Sequence, residues 1–73
     1  MEPKEQFGVK LRRLRDAAEL TQMELSNRTG LDMAEISRLE RGLRDPRLTT
    51  IVRLAAGLDV DPAELVSGIG LAA

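Results

Sequence analysis

Three short strings constrain the fold of this chain more than any other feature. "LTQMEL" (20–25), "LDMAEI" (31–36) and "VDPAEL" (60–65) each run apolar, Thr or Asp, two residues, Glu, apolar. A Thr or Asp oxygen at the edge of a helix can accept one of the backbone N–H groups that the first turn leaves unpaired. A Glu three residues later can reach back to the cap's own N–H, while the flanking apolar pair forms a hydrophobic staple. The pattern predicts helix starts near Gln22, Met33 and Pro62, the last with proline at a favoured first position. On this reading Asp32 and Glu35 are helix-starting hardware, which accounts for two acids at the head of the third helix.

The remaining periodicity is also helical, and no stretch alternates with period two. Phe7, Leu11, Leu14 and Ala18 form one stripe, with Lys10, Arg12 and Arg13 on other faces and Pro3 in the first turn. Ile51, Leu54 and Ala55 give the inner face of another helix, with Thr49 as its cap. The expected architecture is all-α: a compact five-helix bundle with helices over roughly 4–18, 22–29, 33–41, 49–57 and 62–67. A 73-residue chain makes one small domain. It buries only roughly 60% of its unfolded surface, so the core must be efficient. With one Phe and no Trp or Tyr, that core must be aliphatic. Gly42 suits the left-handed end of the third helix, and Glu19 and Asp59 hold the matching positions after the first and fourth. A Glu there costs about 1 kcal/mol relative to Gly, so Glu19→Gly is expected to raise the melting temperature.

Composition removes whole classes of chemistry. The chain has no Cys and no His, which excludes disulfides and thiolate sites and removes the usual metal ligands, nucleophile–base pairs and general bases. No metal or cofactor is expected, and no enzyme, because the scattered carboxylates are accounted for by caps and ion pairs. No apolar run could span a bilayer and no secretion leader is visible, so a cytoplasmic protein is expected. A net charge of −1 argues mildly against a nucleic-acid partner, but binding depends on where charge lies. Arginine supplies nine of the eleven basic residues, and its planar fork suits phosphate and guanine.

The second and third helices are the informative pair. About three residues separate them, centred on Gly30, which permits a sharp turn, and Ser26 is small enough for a close crossing. Leu25, Leu31, Ile36 and Leu39 sit where crossing helices need apolar contacts. This is the spacing of a helix-turn-helix.

Over residues 10–65 the chain also resembles the lambda-repressor-like, Cro/repressor type of helix-turn-helix, often called the xenobiotic-response-element family. "LTQ.EL", "G.....IS.LERG...P.L.TI..LA..L.V" and a final "P.EL" carry the resemblance. It implies that the third helix lies in the DNA major groove and the second crosses the backbone. Met33, Ala34, Ser37 and Arg38 match positions that face base edges. Gln22, Arg41 and Arg44 match positions near phosphates, and Arg15 with Glu40 matches a partly buried ion pair joining the first helix to the third.

Each assignment has a plainer counterpart. Arg38 is either a reader, since Arg bidentate to guanine O6 and N7 is the commonest specific contact, or a surface partner of Glu35. Met33 and Ala34 either touch thymine methyls or fill space. Ser37 suits a base, a phosphate or neither. Arg38, Arg41, Arg44 and Arg47 recur every third residue, either as a phosphate-gripping edge or as a solvated face partly neutralised by Asp45; Arg47 stays open. Leu65, Val66, Ile69 and Leu71 either form a dimer interface, with 66–73 as a dimerisation tail, or Leu65 and Ile69 close this domain's own core while the last residues fray.

The resemblance implies a sequence-specific transcriptional regulator that binds double-stranded DNA as a homodimer on a roughly palindromic operator. Small members include restriction–modification controllers and phage-type repressors. The alternative is a protein-interaction module or toxin-paired antitoxin with weak DNA binding. There is no room for a small-molecule ligand domain, so regulation would come from concentration, operator arrangement or a protein partner.

Overall fold

A computed structural model describes residues 1–71, in which five helices follow one another: α1 Pro3–Ala17, α2 Gln22–Thr29, α3 Met33–Glu40, α4 Leu48–Leu58 and α5 Pro62–Val66. Among the described residues there is no strand. Helices α2 and α3 form the helix-turn-helix, α1 backs α3, and α4 with α5 closes the far side.

The three cap strings start three helices, but by three different bonds. At Thr21 the box is complete: Glu24 N–H donates to Thr21 Oγ1 at 3.0 Å and Thr21 N–H donates to Glu24 Oε1 at 2.8 Å. At Asp61 the carboxylate accepts from Ala63 N–H at 2.8 Å, one residue earlier than a box requires. At Asp32 no side-chain cap bond forms, and the cap is the backbone alone. The expected box there is therefore corrected: the Glu35 carboxylate turns instead to two guanidinium groups, Arg38 at 3.5 Å and Arg44 at 3.8 Å. Attraction from two cations outweighs one exposed N–H.

Helix ends follow the left-handed rule. Glu19, Asp59, Gly30 and Gly42 have φ of 58°, 57°, 73° and 73°. After α1 the Leu20 N–H donates to the Arg15 carbonyl, after α3 Leu43 to Arg38, and after α4 Val60 to Ala55. These are the six-to-one bonds of Schellman ends, which satisfy otherwise orphaned carbonyls.

Two sequence expectations shift. The α1 stripe ends at Leu14: the chain leaves the helix at Ala17, Ala18 is exposed, and Leu20 fills the core place expected of it. Helix α4 begins one residue early, with Arg47 as N-cap, because Ile51 N–H already donates to the Arg47 carbonyl at 3.0 Å. Thr49 is thus an exposed residue of the first turn and not the cap.

The core is Phe7, Leu11, Leu20, Leu25, Ile36, Leu39, Leu54, Ala55, Leu58 and Leu65, with Leu14, Leu31, Ile51, Val60 and Ile69 packed at its edge. Leu65 is 0% exposed within one chain, so the expectation that it faces a partner is corrected. The tail folds back as well: Gln6 Nε2 donates to the Gly70 carbonyl at 2.7 Å. Residues 72 and 73, the end of the expected dimerisation tail, lie outside the described residues.

Two glycines set how closely helices meet. A Cβ on Gly8 would lie 2.5 Å from the Leu39 carbonyl oxygen and 2.6 Å from that of Glu40, so α1 and α3 touch backbone to backbone. A Cβ on Gly57 would lie 2.6 Å from Thr29 Cγ2, where α4 meets α2.

Candidate nucleic-acid interface

The turn between α2 and α3 is closed by side chains as well as by Gly30. Ser26 Oγ donates to the Leu31 carbonyl, Thr29 Oγ1 donates to the Leu25 carbonyl at 2.8 Å, and Leu31 N–H donates to Thr29 Oγ1 at 3.2 Å. With its backbone groups satisfied, the turn fixes the angle at which α3 projects. Ser26 does more than the small size expected of it, since its hydroxyl bridges the turn.

Helix α3 buries Ile36 and Leu39 and turns its other side outward. Met33 (42% exposed) and Ala34 are open to solvent, and Ser37 and Arg38 are half-buried beside them. At 100° per residue these four share one face. The structure thus brings Met33, Ala34, Ser37 and Arg38 together on a single surface at the outer side of the helix-turn-helix.

The ion pair beneath this face fixes its tilt. Arg15 Nε donates to Glu40 Oε2 at 2.6 Å and Arg15 Nη2 to Glu40 Oε1 at 3.0 Å, while Arg15 Nη1 donates to the Leu20 carbonyl at 2.7 Å. The Arg15 side chain is 12% exposed and that of Glu40 is 4%. The hydrogen bond to Glu40 leads the forces that raise the Arg15 guanidinium pKa above its ordinary value, so the guanidinium stays charged. Gln22 joins it, donating from Nε2 to Glu40 Oε1 at 3.0 Å. The first side chain of α2 is therefore anchored on the same carboxylate that ties α1 to α3.

The arginine run separates by role. Arg38 and Arg44 meet on Glu35. Arg41 Nε folds back to the Ser37 carbonyl at 3.3 Å but its side chain stays exposed. Arg47 lines a shallow groove with Leu31, Thr49, Thr50 and Arg53, where the start of α4 meets the turn. Thr50 and Arg53 were not singled out in the sequence; Thr50 lies one helical turn from Arg47 and Arg53 one turn further on, and α4 sets them beside Leu31 of the turn.

Val66 (44%) and Leu71 (87%) are exposed, as are Leu48 (77%) and Val52 (48%) on α4. Ile69 is half-buried against the core. Among the described residues no helix is long and apolar enough to cross a membrane.

A helix-turn-helix with this closure and capping has a recognisable sequence counterpart: the family profile described as "Helix-turn-helix domain" matches residues 6–67. The chain belongs to the helix-turn-helix domain family. The lambda-repressor-like type expected from the motifs is the one these relatives represent. The chain is 39% identical over 67 residues to the uncharacterised HTH-type transcriptional regulator y4dJ of Sinorhizobium fredii, covering 92% of this chain and 87% of that protein. It is 40% identical over 57 residues to the regulator y4dL of the same organism, covering 78% of this chain but only 29% of that longer protein. Among solved structures, the restriction-modification controller protein C.AhdI from Aeromonas hydrophila superposes with a TM-score of 0.83 at 42% identity. That match covers 85% of this chain and 94% of the controller.

Proposed function

We propose that this chain is a sequence-specific DNA-binding transcriptional regulator that acts as a homodimer. Helix α3 enters the major groove, Arg38 reads a guanine edge, and Met33 and Ala34 lie against thymine methyls with Ser37 alongside. Gln22, Arg41 and Arg44 contact phosphates, joined by Arg47 and Arg53 beside the turn. The reading rests chiefly on one observation: four outward α3 side chains share a face rimmed by arginine, in a family whose named relatives are transcriptional regulators. The restriction-modification controller, of which the chain covers 94% at 42% identity, supports a regulatory role for this fold.

Dimerisation uses Val66 and Leu71 with the exposed Leu48 and Val52 of α4, while Leu65 supports them from within. Two α3 helices about 34 Å apart would reach successive major grooves of a roughly palindromic site.

Salt dependence of binding tests the reading. Affinity should fall steeply as salt rises, with a slope near −0.9 per contacted phosphate. Arg38→Ala should relax preference at one base pair in each half-site by about 1–3 kcal/mol. A protein that binds no duplex at low salt would instead be an interaction module on the same fold, a reading to which the net charge of −1 lends weight.

A further inference from the structure

Glu35 stands at the third position of α3, where the capping pattern would send its carboxylate to the Asp32 N–H, yet that bond is absent. Its Oε1 lies 3.5 Å from Arg38 Nε and 3.8 Å from Arg44 Nη1. These two arginines come from different segments, one inside α3 and one in the loop that follows it. The Glu35 side chain is 29% exposed and that of Arg38 is 38%, so the contact lies in the surface and not above it. Arg38 Nε is itself buried and makes no hydrogen bond. Among the described residues, no hydrogen bond engages the terminal nitrogens of Arg38 either.

We infer that Glu35 is a positioning residue that sets DNA specificity by holding Arg38 and Arg44 on one carboxylate oxygen. The inference rests on the DNA-binding reading above and goes beyond it. An arginine has many rotamers, and one left free beside DNA pairs with whichever phosphate or base is nearest. With Nε turned inward to Glu35, the outer edge of the Arg38 guanidinium is presented in one orientation, suited to guanine O6 and N7. The same carboxylate holds Arg44 back from non-specific phosphate contact and places a negative charge where a misdocked backbone would lie. A correct site can compensate by occupying both guanidinium groups. An incorrect site cannot, so Glu35 lowers affinity for all DNA and lowers it most for the wrong DNA.

The test uses the full chain, a duplex enriched by the wild type from a random pool, and a shuffled duplex of equal length and composition. Glu35→Gln keeps the size and removes the charge; Glu35→Asp keeps the charge but is one methylene too short to span both arginines. With Glu35→Gln the affinity for the shuffled duplex should rise several-fold. The preference for the enriched duplex should fall about fivefold or more, as expected for a loosened bidentate contact. The salt slope on the shuffled duplex should steepen by about 0.9 as Arg44 gains a phosphate, and Arg44→Ala in the same background should abolish that gain. Glu35→Asp should also lose preference, because position and not charge alone is at work. In a background carrying both Arg38→Ala and Arg44→Ala, Glu35→Gln should leave the preference unchanged. The inference is overturned if both Glu35 variants keep the wild-type preference within twofold, or if Glu35→Asp alone retains it. Failure of the wild type to prefer any duplex is a separate outcome that removes the DNA-binding reading and this inference with it.

Discussion

Replacing Glu40 by Gln probes the joint on which the interface is mounted. The carboxylate is 4% exposed and accepts three hydrogen bonds, two from Arg15 at 2.6 and 3.0 Å and one from Gln22 at 3.0 Å. An amide of the same shape must direct its NH2 at a donor in either orientation. One orientation opposes Arg15 Nε, the other opposes both Arg15 Nη2 and Gln22 Nε2. The substitution also leaves the Arg15 guanidinium, at 12% exposure, with only the exposed Asp16 carboxylate at 3.5 Å as counter-charge. Breaking a buried pair by removing one partner costs about 3–5 kcal/mol. The surviving hydrogen bond and partial solvent access bring the expected loss down to about 2–3 kcal/mol. A domain of this size has roughly 4–11 kcal/mol in all, so the variant should melt about 10–20 °C lower. Thermal unfolding by circular dichroism measures this, together with the Arg15→Met/Glu40→Leu double variant. That apolar pair should be close to the wild type or above it. A Glu40→Gln protein within about 0.5 kcal/mol of the wild type, the usual scatter of surface substitutions, would mean that the Arg15–Glu40 pair does not hold α1 to α3.

Gly8→Ala should destabilise by about 1–3 kcal/mol in urea unfolding, because its Cβ meets two backbone oxygens of α3 that cannot move aside. The helix-propensity gain of about 1 kcal/mol for Ala would dominate instead, giving a more stable protein, if α1 and α3 did not touch there. Glu19→Gly should raise the melting temperature by about 3–6 °C, since φ of 58° strains a side-chain-bearing residue; a fall would misplace the end of α1. Glu24 has its pKa lowered, first by the Thr21 N–H bond and next by the Thr21 hydroxyl. A depressed carboxylate contributes stability that is fully present above its unfolded pKa of about 4.3 and lost as pH falls through the lower folded value. Wild type should therefore melt above Glu24→Gln at pH 7, and the gap should close as the solution is acidified below that range; an unchanged gap at pH 3 would contradict the cap.

Helix positions were legible because caps are local. Thr21, Asp32 and Asp61 each precede a helix, and the apolar pairs around them reach the core or its edge. Which bond each cap makes was not legible, because that depends on neighbours distant in sequence. Glu35 is drawn away by Arg44, which lies beyond the end of α3. Gly8 and Gly57 passed unremarked for the same reason: a close helix crossing exists only once the bundle is assembled. The outward face of α3 was assigned from likeness to a family, and the helical period of α3 agrees with it. The burial of Leu65 did not, since an apolar residue near a terminus reads equally as core or as interface until α1, α4 and α5 are packed around it. Arg53 was not legible because the groove it shares with Leu31 and Arg47 exists only once α4 packs beside the turn.

In the proposed function, α3 reads DNA as one of a symmetric pair. Selecting bound duplexes from a random pool at low salt, and sequencing what the protein retains, tests it most directly. A two-fold symmetric site should be enriched, its half-sites centred about one helical turn apart, with a guanine in each half whose preference is lost in Arg38→Ala. Recovery of unenriched sequence, or of an asymmetric site indifferent to Arg38, would contradict it.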